Sequence, residues 1–541
     1  MSRAGAPSPW PVFTRPHPRR ETSKMSELVL HGNLALNARK YRDKEALVFG
    51  DTRISHQELY ARVNGLANGF LEAGLRQGDH CALLLANSVE FLESMLALSR
   101  IGVTFVCLNT LLTPREMAYI INHSDARALV AEAEFGEKIS SVLDELPRLD
   151  RSLLFSVSGN IDGFRPLDGI RSTNTAEPAV RVNEDTWMRL AYTSGTTGLP
   201  KGAIIPHRSQ VLMFYQFGVQ YGLSDRERML IAGPLYAIGP FVWGLMALYF
   251  GGTLVILRKF DAQKVLQAIT DERITSSFMV PTMYNMVLAI PEEERRAKYD
   301  VSSLCILSSG SAPRHTRTRE LMFNYFSSAR INDSYGSTEG GLNTNLSHED
   351  QLRKITTVGQ PVVGCEIKIV GDDGRELGPN EVGEIWVRGL SLATGYYKNE
   401  AATAKAFIDD WFATGDLGSM DEEHFLTLVD RKNDLIISGG VNVYPTDVEQ
   451  ALYRHSAVLE AAVVGVPDQK WGEAVKAVVA LKPGAQAGED ELLDWCRKEL
   501  AGYKVPKSVD IVTDLPKNAA GKILRRVVRE QYWAGRETKL I

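Results

Sequence analysis

The sequence predicts an α/β protein with a large multi-layer N-terminal domain of mainly parallel sheets plus antiparallel strands, and a small α+β C-terminal domain. From Leu28 onward, segments with a helical apolar period alternate with short apolar runs, which favours parallel strands covered by helices. Residues 362–387 contain apolar runs joined by the turn Asp372-Asp373-Gly374, which predicts antiparallel strands. After Asp434 the pattern becomes strand, helix, two strands, helix, strand, in a segment long enough for its own core.

Local signals justify the N-terminal elements in chain order. Ser55 and Glu58 form a capping-box pattern before a helix that carries Leu59 and Val63 on its apolar face and ends at Gly74. Further apolar patterns predict a strand over 81–86, a helix over 90–101, a strand over 103–108 and a helix over 114–123. The alternation recurs over 187–329, where it begins with a strand over 188–192 and a helix after 206.

The C-terminal segment has its own helix signals. Thr446 and Glu449 form a second capping-box pattern in a helix that opens at Pro445. A later helix over 489–501 is expected to end before Gly502.

Composition and charge exclude several classes of protein. The 541 residues are 44% hydrophobic and 23% charged, as in ordinary globular proteins. The formal net charge is −5, so a nucleic acid is not expected as the main ligand. The five cysteines are widely spaced without a CxxC pair, which excludes a disulfide framework or a zinc ribbon. We expect a reducing compartment, the cytoplasm.

One uncharged stretch, Ile231–Leu257, is long enough to span a bilayer. Glycines and prolines interrupt it, and Gly251-Gly252 separates a helix-like part from the β-branched run that follows. We therefore predict a buried helix and then a buried strand, and no transmembrane segment.

Residues 1–24 have five prolines and no apolar core of a secretory signal. The prolines also disfavour the amphipathic helix of a transit peptide. We expect a disordered extension, or an upstream start that precedes Met25.

The segment most informative about chemistry is Tyr192–Gly202, which follows the predicted strand over 188–192. Its glycines allow backbone N–H groups to approach a polyanion, its hydroxyl groups can donate to phosphate oxygens, and Lys201 adds a positive charge. The spacing is not that of a Walker A motif, since Gly195 is followed five residues later by Pro200. The segment predicts a phosphate-binding loop.

Residues 193–202 resemble the phosphate loop of the adenylate-forming superfamily, which includes acyl- and aryl-CoA synthetases, peptide-synthetase adenylation domains and beetle luciferases. Other segments resemble further motifs of that family, in the family's order: Ser309–Pro313, Tyr335–Glu339, Val382–Gly389 with Gly395-Tyr396, Trp411–Asp416, Asp430–Asp434 with Ser438–Gly440, and Pro516–Lys522. The resemblance implies an AMP-binding domain over 25–430, a hinge at 431–434 and a mobile C-terminal domain over 435–541.

By this resemblance, the chain binds ATP and Mg²⁺. The implied nucleotide-binding residues are Thr193, Ser194, Gly195, Thr196, Thr197, Gly198, Lys201, Gly310, Ser311, Ala312, Pro313, Asp333, Ser334, Tyr335, Gly336, Ser337, Thr338, Asp416, Arg431 and Lys522. The implied catalytic residues are Lys201, Thr338, Glu339 and Lys522. Thr338 would donate to the α-phosphate, Glu339 would hold Mg²⁺, and Lys522 would bridge the carboxylate and the nucleotide. Tyr335 would lie against adenine, and Asp416 would accept the ribose hydroxyls.

The resemblance also implies sites for CoA and for an acyl group. Ser438, Gly439 and Gly440 would line the pantetheine tunnel, Trp471 would stack on the CoA adenine, and Lys504 would contact CoA phosphates. A surface tryptophan and a solvated lysine are equally weighted alternatives for the last two. The implied acyl pocket consists of Phe214, Tyr236, Ala237, Trp243, Gly310, Gly336, Gly341 and Leu342.

Two positions depart from the family pattern. Ala237 stands where a pocket-gating histidine is usual, which places common fatty-acid and benzoate substrates in doubt. Asn433 stands at the hinge, where Asp or Lys is usual, and still tolerates the left-handed backbone region.

We predict an ATP-dependent carboxylic acid–CoA ligase that forms an acyl-AMP and then an acyl-CoA, as a monomer or homodimer. The predicted pocket is mostly apolar, which favours a hydrophobic monocarboxylic acid (aromatic, alicyclic or medium-chain) over a malonate-like diacid. The alternatives are a stand-alone acyl- or aminoacyl-AMP ligase that loads a carrier protein, a luciferase-like oxygenase, and a catalytically silent scaffold.

Overall fold

A computed structural model describes residues 27–193, 199–312, 316–432, 434–438, 441–468, 471–517 and 523–533. These residues form four β-sheets and fifteen α-helices, numbered here in chain order. The helices are α1 (Leu34–Lys40), α2 (His56–Ala73), α3 (Val89–Arg100), α4 (Pro114–His123), α5 (Gly136–Ser140), α6 (His207–Tyr221), α7 (Ile238–Phe250), α8 (Ala262–Asp271), α9 (Pro281–Ala289), α10 (Glu292–Lys298), α11 (Thr316–Tyr325), α12 (Glu400–Ala406), α13 (Pro445–Tyr453), α14 (Glu489–Glu499) and α15 (Arg525–Trp533).

The first sheet has a parallel centre and antiparallel edges. In spatial order its strands are β16 (Gln360–Pro361), β15 (Gly341–Leu346), β14 (Arg330–Ser337), β13 (Ile306–Ser309), β12 (Ser276–Phe278), β10 (Arg228–Ile231), β11 (Thr253–Ile256), β1 (Glu45–Phe49) and β2 (Thr52–Ser55). The pairs from β14 to β1 are parallel, whereas β15, β16 and β2 are antiparallel to their neighbours.

The second sheet is parallel except for its last pair. Its order is β7 (Arg165–Pro166), β6 (Leu154–Val157), β5 (Ala128–Glu132), β3 (His80–Leu84), β4 (Thr104–Cys107), β8 (Trp187–Thr193) and β9 (Lys201–Pro206). Only β8 and β9 pair antiparallel among these described strands, as a hairpin. The predicted alternation over 81–123 is confirmed, with element ends shifted by up to two residues.

Alternation of side chains along the strands creates the layers. In the first sheet Leu47 faces the core shared with the second sheet, whereas Val48 faces a separate core. In the second sheet Leu83 faces the shared core and Leu84 faces a third one. Helices α2, α3, α6 and α7 contribute to the shared core, so they form a layer between the two sheets. The predicted multi-layer α/β class is confirmed.

The third sheet is antiparallel, as the sequence predicts. Its order is β17 (Cys365–Val370), β18 (Gly383–Gly389), β20 (Trp411–Met420) and β19 (Phe407–Ile408), with β21 (Leu426–Arg431) also paired to β20. The turn at Asp372–Gly374 does not join β17 to β18 directly. It connects Val370 to Glu376, which form an isolated antiparallel bridge. The connection from β17 to β18 is therefore longer than a tight hairpin.

The fourth sheet consists of strands after residue 435. Its order is β23 (Val441–Val443), β22 (Ile436–Ser438), β25 (Gly472–Leu481) and β24 (Val458–Asp468), with β26 (Ser508–Val512) paired to β25. It differs from the predicted order by a second short strand at its start and by the additional helix α15.

One predicted capping box is confirmed and the other is wrong. Ser55 Oγ accepts from Glu58 N at 3.2 Å, and Glu58 Oε2 accepts from Ser55 N at 2.8 Å. In contrast, α13 has no side-chain cap. Its Glu449 Oε1 instead accepts from Val463 N at 2.9 Å and is ion-paired with Arg525, because tertiary partners take up this carboxylate.

The uncharged stretch 231–257 forms the buried helix α7 and the buried strand β11, as predicted. No helix within the described ranges is long and apolar enough to cross a membrane.

Candidate active site

The hairpin of β8 and β9 brings together the two ends of the predicted phosphate loop. Thr193 ends β8, Lys201 begins β9, and the two residues are partners in the antiparallel register. The hairpin thus places a hydroxyl group and an ammonium group on neighbouring strands at one edge of the second sheet.

Some predicted site residues lie outside the residues that the structure describes. They are Ser194, Gly195, Thr196, Thr197, Gly198, Pro313, Asn433, Gly439, Gly440 and Lys522. Their roles remain predictions.

Glu339 is the meeting point of several elements. Its Oε1 accepts from Thr193 Oγ1 at 3.2 Å and from the Tyr396 hydroxyl at 3.0 Å. The Lys201 Nζ lies 5.0 Å from the centroid of the Tyr396 ring. Burial and the Glu339 carboxylate both raise the pKa of Tyr396, which keeps its hydroxyl a donor at neutral pH. Two hydroxyls therefore donate to one carboxylate oxygen, and the Lys201 ammonium group lies beside the ring of one of these donors.

Backbone pairing positions Tyr396 at this point. Tyr396 forms an antiparallel bridge with Ala203 of β9, and Ile204 N donates to Gly395 O at 2.9 Å. Gly395 has φ +143, and a Cβ there would lie 2.7 Å from Thr403 Cγ2, so the close approach requires glycine. The sequence motif included Gly395-Tyr396, but the contact of Tyr396 with Glu339 was not predicted.

A second group of predicted residues meets at Asp416. The Tyr335 hydroxyl donates to Asp416 Oδ2 at 2.7 Å, and Arg431 Nε lies 3.2 Å from Asp416 Oδ1. The register of β20 and β21 pairs Asp416 with Arg431, which explains their proximity. Tyr335 is buried, and burial together with Asp416 raises its pKa well above the ordinary value. Asp416 therefore has a hydrogen-bond donor on one carboxylate oxygen and an ion-pair partner on the other.

The ends of β13 and β14 form the adjoining wall. Ser334 Oγ donates to Ser309 O at 3.3 Å, and a Cβ on Gly310 would lie 2.8 Å from Ser334 O. Only glycine allows this approach. Asp333 is held by the buried Arg319, whose Nη2 lies 3.3 Å from Asp333 Oδ2. This arginine was not among the predicted site residues.

A cavity opens beside these strand ends, and much of its wall is apolar. Its lining residues are Met213, Phe217, Ile238, Gly239, Val242, Trp243, Phe278, Gly310, Ser311, Ser334, Gly336, Ser337, Gly341 and Leu342. Five predicted acyl-pocket residues are among them: Trp243, Gly310, Gly336, Gly341 and Leu342. The close packing of β14 on β15 forms part of this wall, since a Cβ on Gly336 would lie 2.1 Å from Gly341 O.

Three predicted pocket residues do not line the cavity. Phe214 is fully buried and packs on Tyr249, with ring centroids 5.5 Å apart. Tyr236 and Ala237 lie in the segment before α7, and Ala237 is its N-cap residue. The lining residues that were not predicted follow from helical geometry: Met213 and Phe217 lie one turn apart on α6, and Ile238 and Val242 lie one turn apart on α7.

The predicted CoA residues fall into two places. Ser438 pairs with Gly472, directly after the partly exposed Trp471. Lys507 Nζ lies 5.6 Å from the Trp471 ring centroid. Lys504 is instead engaged by Asp447, whose Oδ2 lies 2.5 Å from its Nζ and raises its pKa.

Comparisons with known proteins match both parts of the chain. The family model of AMP-binding enzymes matches residues 34–397, and that of the AMP-binding enzyme C-terminal domain matches residues 447–522. A feruloyl-CoA synthase from an Amycolatopsis species is 37% identical over 494 residues, which cover 90% of this chain and 96% of that protein.

Solved structures share the fold over nearly the whole chain. An anthranilate–CoA ligase in complex with anthranoyl-AMP has a TM-score of 0.85 and 29% identity, and covers 94% of this chain and 98% of its own. The O-succinylbenzoate coenzyme A synthetase of Bacillus subtilis, in complex with ATP and magnesium, has a TM-score of 0.80 and 30% identity over 91% of this chain and 98% of its own.

Proposed function

The chain belongs to the AMP-binding enzyme family, in its acid–CoA ligase branch, and we propose from this premise that it joins a hydrophobic monocarboxylic acid to CoA. It is an acid–thiol ligase, and ATP supplies the driving force for the ligation. Beyond this class of reaction, the proposal covers the acid that is used and the residues that perform each step.

The reaction divides into two half-reactions. First, a carboxylate oxygen of the acid attacks the α-phosphorus of ATP, the bond from that phosphorus to the bridging oxygen breaks, and pyrophosphate leaves. The product is an acyl-AMP. Next, the CoA sulfur attacks the acyl carbonyl carbon, the carbon–oxygen bond to AMP breaks, and the thiol proton is released to solvent. Acyl-CoA and AMP are the products.

The first half-reaction concentrates negative charge at the phosphates, so it needs donors and cations. Lys201 and the hydroxyls of Thr193 and Thr338 would supply them. The carboxylate oxygens of Glu339 and the hydroxyl oxygens beside it are the type of ligand that a hard cation prefers. Glu339 would therefore hold Mg²⁺. When bound, Mg²⁺ would neutralise part of the negative charge on the phosphates. The described residues contain no group of three His, Cys, Asp or Glu side chains that could hold a metal ion, so Glu339 would be a single carboxylate ligand from the protein.

The nucleoside would lie toward Asp416. This carboxylate already accepts from Tyr335 and lies beside Arg431, which fixes both of its oxygens. A carboxylate held in this way keeps further lone pairs for ribose hydroxyls. Lys522 would serve the first half-reaction, and Ser438 with Trp471 would serve CoA.

The observation that supports the choice of acid is the chemistry of the cavity wall. Its fourteen described lining residues include no Lys, Arg, His, Asp or Glu. A second carboxylate in this space would have no counter-ion, and burying an unpaired charge is strongly unfavourable. A monocarboxylic acid with an apolar body would fill the same space without that penalty.

A panel of matched acids tests the proposal. Purified protein, ATP, Mg²⁺ and CoA are incubated with pairs such as octanoate and octanedioate, or cinnamate and 4-carboxycinnamate, while AMP formation and thiol loss are followed. We expect the monocarboxylic member to be used with a kcat/KM at least about tenfold higher. A preference for diacids would contradict the substrate class. ATP-dependent loading of a carrier protein without CoA turnover would favour that alternative, and no acid-dependent ATP–pyrophosphate exchange at all would indicate a silent protein.

A further inference from the structure

Helix α4 contacts the chain on both sides of the predicted phosphate loop. The Tyr119 hydroxyl donates to Pro200 O at 3.2 Å. One turn later on the same helix face, His123 Nδ1 lies 2.7 Å from the Tyr192 hydroxyl. The rings of Tyr119 and His123 also lie together, with centroids 5.5 Å apart. One face of a single helix therefore bonds to both arms of the β8–β9 hairpin.

The contact between His123 and Tyr192 is a hydrogen bond between two neutral groups. Burial raises the pKa of Tyr192, so its hydroxyl keeps its proton at neutral pH and donates it. Burial, together with the positive charge of Lys398, lowers the pKa of His123. The neutral imidazole can therefore accept through Nδ1.

Helix α4 is itself held firmly at both ends. At its start Thr113 N donates to Glu116 Oε2 at 2.8 Å, and Glu116 N donates to Thr113 Oγ1 at 3.3 Å. Met117 is fully buried in the core that lies on the far side of the second sheet. At the end of the helix, Ser124 O lies 2.6 Å from His80 Nδ1 of β3. The helix is thus a fixed support for whatever its side chains hold.

The two residues that α4 holds directly precede the two that would meet the phosphates. Tyr192 comes before Thr193, and Pro200 comes before Lys201. The register pairs Thr193 with Lys201, and β9 is an edge strand of the second sheet. A strand at an edge has a neighbour on one side only, so its position depends on contacts from outside the sheet.

We propose that Tyr119 and His123 are positioning residues for ATP, which hold Thr193 and Lys201 in place for its two terminal phosphates. A loop that is ordered before binding lowers the ordering cost that the ligand must otherwise meet. Neither Tyr119 nor His123 needs to touch the nucleotide.

This inference rests on the proposed function, which also indicates the phosphates concerned. In that function the nucleoside lies toward Asp416, and Thr338 would donate to the α-phosphate. The hairpin then remains for the two phosphates that leave as pyrophosphate. AMP lacks both of them, so the support from α4 should matter for ATP and not for AMP.

The variants Tyr119→Phe and His123→Phe test this inference, since each keeps a ring and removes one hydrogen bond. In calorimetric titrations with Mg²⁺ present, the Kd of ATP should rise by about fivefold in each variant, as expected for one neutral hydrogen bond. The Kd of AMP should stay at the wild-type value. In ATP–pyrophosphate exchange, the KM values for ATP and for pyrophosphate should rise together. Thioester formation from a synthetic acyl-AMP and CoA should keep its wild-type rate, because those phosphates have left by then.

Two further variants separate positioning from a general defect of the helix. Asn122→Ala is the matched control, since Asn122 Nδ2 on the same helix turn donates to Glu145 O at 2.9 Å rather than to the hairpin. It should leave the ratio of ATP affinity to AMP affinity unchanged. His123→Asn places an amide group within reach of the position of Nδ1, so it should restore most of the ATP affinity that His123→Phe loses.

The outcomes distinguish this inference from the function on which it rests. In either Phe variant, an ATP affinity that falls no more than the AMP affinity would overturn the role of that residue and leave the ligase intact. An equal loss in Asn122→Ala, or a His123→Asn protein that binds ATP as weakly as His123→Phe, would also overturn it. If the wild-type protein binds no ATP and no acid supports ATP–pyrophosphate exchange, the proposed function fails and this inference fails with it.

Discussion

At the scale of single residues, the site depends on how Glu339 is held. The Tyr396 hydroxyl donates to Glu339 Oε1, and the same oxygen accepts from Thr193. A hydrogen bond to a charged group contributes about 1.5–3 kcal/mol. Tyr396 therefore orients the carboxylate that would hold Mg²⁺, although it need not touch the substrate.

Tyr396→Phe should lower kcat/KM for adenylation by about tenfold or more, because Glu339 loses an orienting bond. The Mg²⁺ concentration for half-maximal rate should rise as well, which a purely structural defect would not cause. ATP–pyrophosphate exchange over a Mg²⁺ series measures both quantities. The neighbouring Tyr397 offers a matched control, since its hydroxyl donates to Asp125 Oδ2 at 2.7 Å rather than to Glu339. Equal losses in Tyr396→Phe and Tyr397→Phe would contradict this role.

Arg189, on β8, is a buried charged residue with few polar partners. It is buried in the core between the two large sheets, and its guanidinium carbon lies 3.9 Å from the Phe241 ring centroid. Its Nε and Nη2 have no hydrogen-bond partner among the residues that the structure describes. Burial lowers its pKa to about 10. The contact with Phe241 compensates only part of the lost hydration.

We expect Arg189→Met to stabilise the fold by about 1–3 kcal/mol, because a flexible apolar side chain replaces a poorly compensated charge of similar length. Urea unfolding at neutral pH measures the difference. Arg189→Ala is the control, since it removes the charge but also leaves a cavity, and it should gain less or lose stability. A destabilised Arg189→Met would show that the guanidinium has a favourable partner.

The residue types of the site were predictable to the extent that a motif fixes them locally. Thr193 and Lys201 were predicted as members of one phosphate loop, and the observed β8–β9 hairpin pairs them across its two strands. The contacts of Tyr396 with Glu339 and of Arg319 with Asp333 join segments far apart in sequence. No period or spacing in one sequence specifies such contacts, because tertiary packing decides them.

At the scale of elements, strong local signals determined which predictions hold. The capping box at Ser55 forms at an exposed helix start, where the side chains of Ser55 and Glu58 each bond to the other's backbone N–H. The residues Thr446 and Glu449 match the capping-box pattern equally well in sequence. In the structure, however, Glu449 accepts from Arg525 and from a backbone N–H of β24. The tertiary ion pair outweighs the cap, which contributes only about 1 kcal/mol.

Helix α15 is tied to its surroundings by that arginine. Arg525 Nη1 lies 2.7 Å from Asp430 Oδ1 and 3.4 Å from Asp434 Oδ2, and its Nη2 lies 2.5 Å from Glu449 Oε2. Burial alone would lower the pKa of Arg525, but Glu449, Asp430 and Asp434 together raise it. The cluster joins the end of β21, before the predicted hinge, to α13 and α15 after it.

Arg525→Gln should therefore lower the free energy of unfolding by about 3–5 kcal/mol at pH 8, since it leaves buried carboxylates without a counter-charge. Urea unfolding at pH 8 measures this loss. Arg526→Gln is the matched control: its pair with Glu530 is exposed on both sides, so its effect should stay below about 1 kcal/mol. Similar losses in both variants would refute the role of the cluster.

At the scale of the whole molecule, buried histidines link distant parts of the N-terminal fold. His207 on α6 accepts from Leu30 N at 3.1 Å through its Nδ1, and its ring lies 5.9 Å from that of His31. His31 Nδ1 is 3.1 Å from Ser99 Oγ of α3. His56 at the start of α2 lies 3.1 Å from Gly252 O. These contacts join the first described segment to the layer of helices between the two large sheets.

Acid should weaken this whole assembly well before the carboxylates titrate. Burial lowers the pKa of His207 to about 3, that of His56 to about 4, and that of His31 well below its ordinary value of 6.5. Below pH 6.5 the histidines bind protons in the unfolded chain but not in the folded chain. Their contribution to the free energy of unfolding is therefore complete above that pH and is lost as the pH falls toward 4. Each such histidine contributes up to about 1.4 kcal/mol per pH unit in this window.

Urea unfolding at pH 7.5, 6.0 and 5.0 should show the decline, and His207→Gln should reduce its slope by about one proton. His424→Asn, at an exposed position, should leave the slope unchanged. A wild-type stability that stays constant from pH 7.5 to 5.0 would mean that these rings are protonated inside the fold.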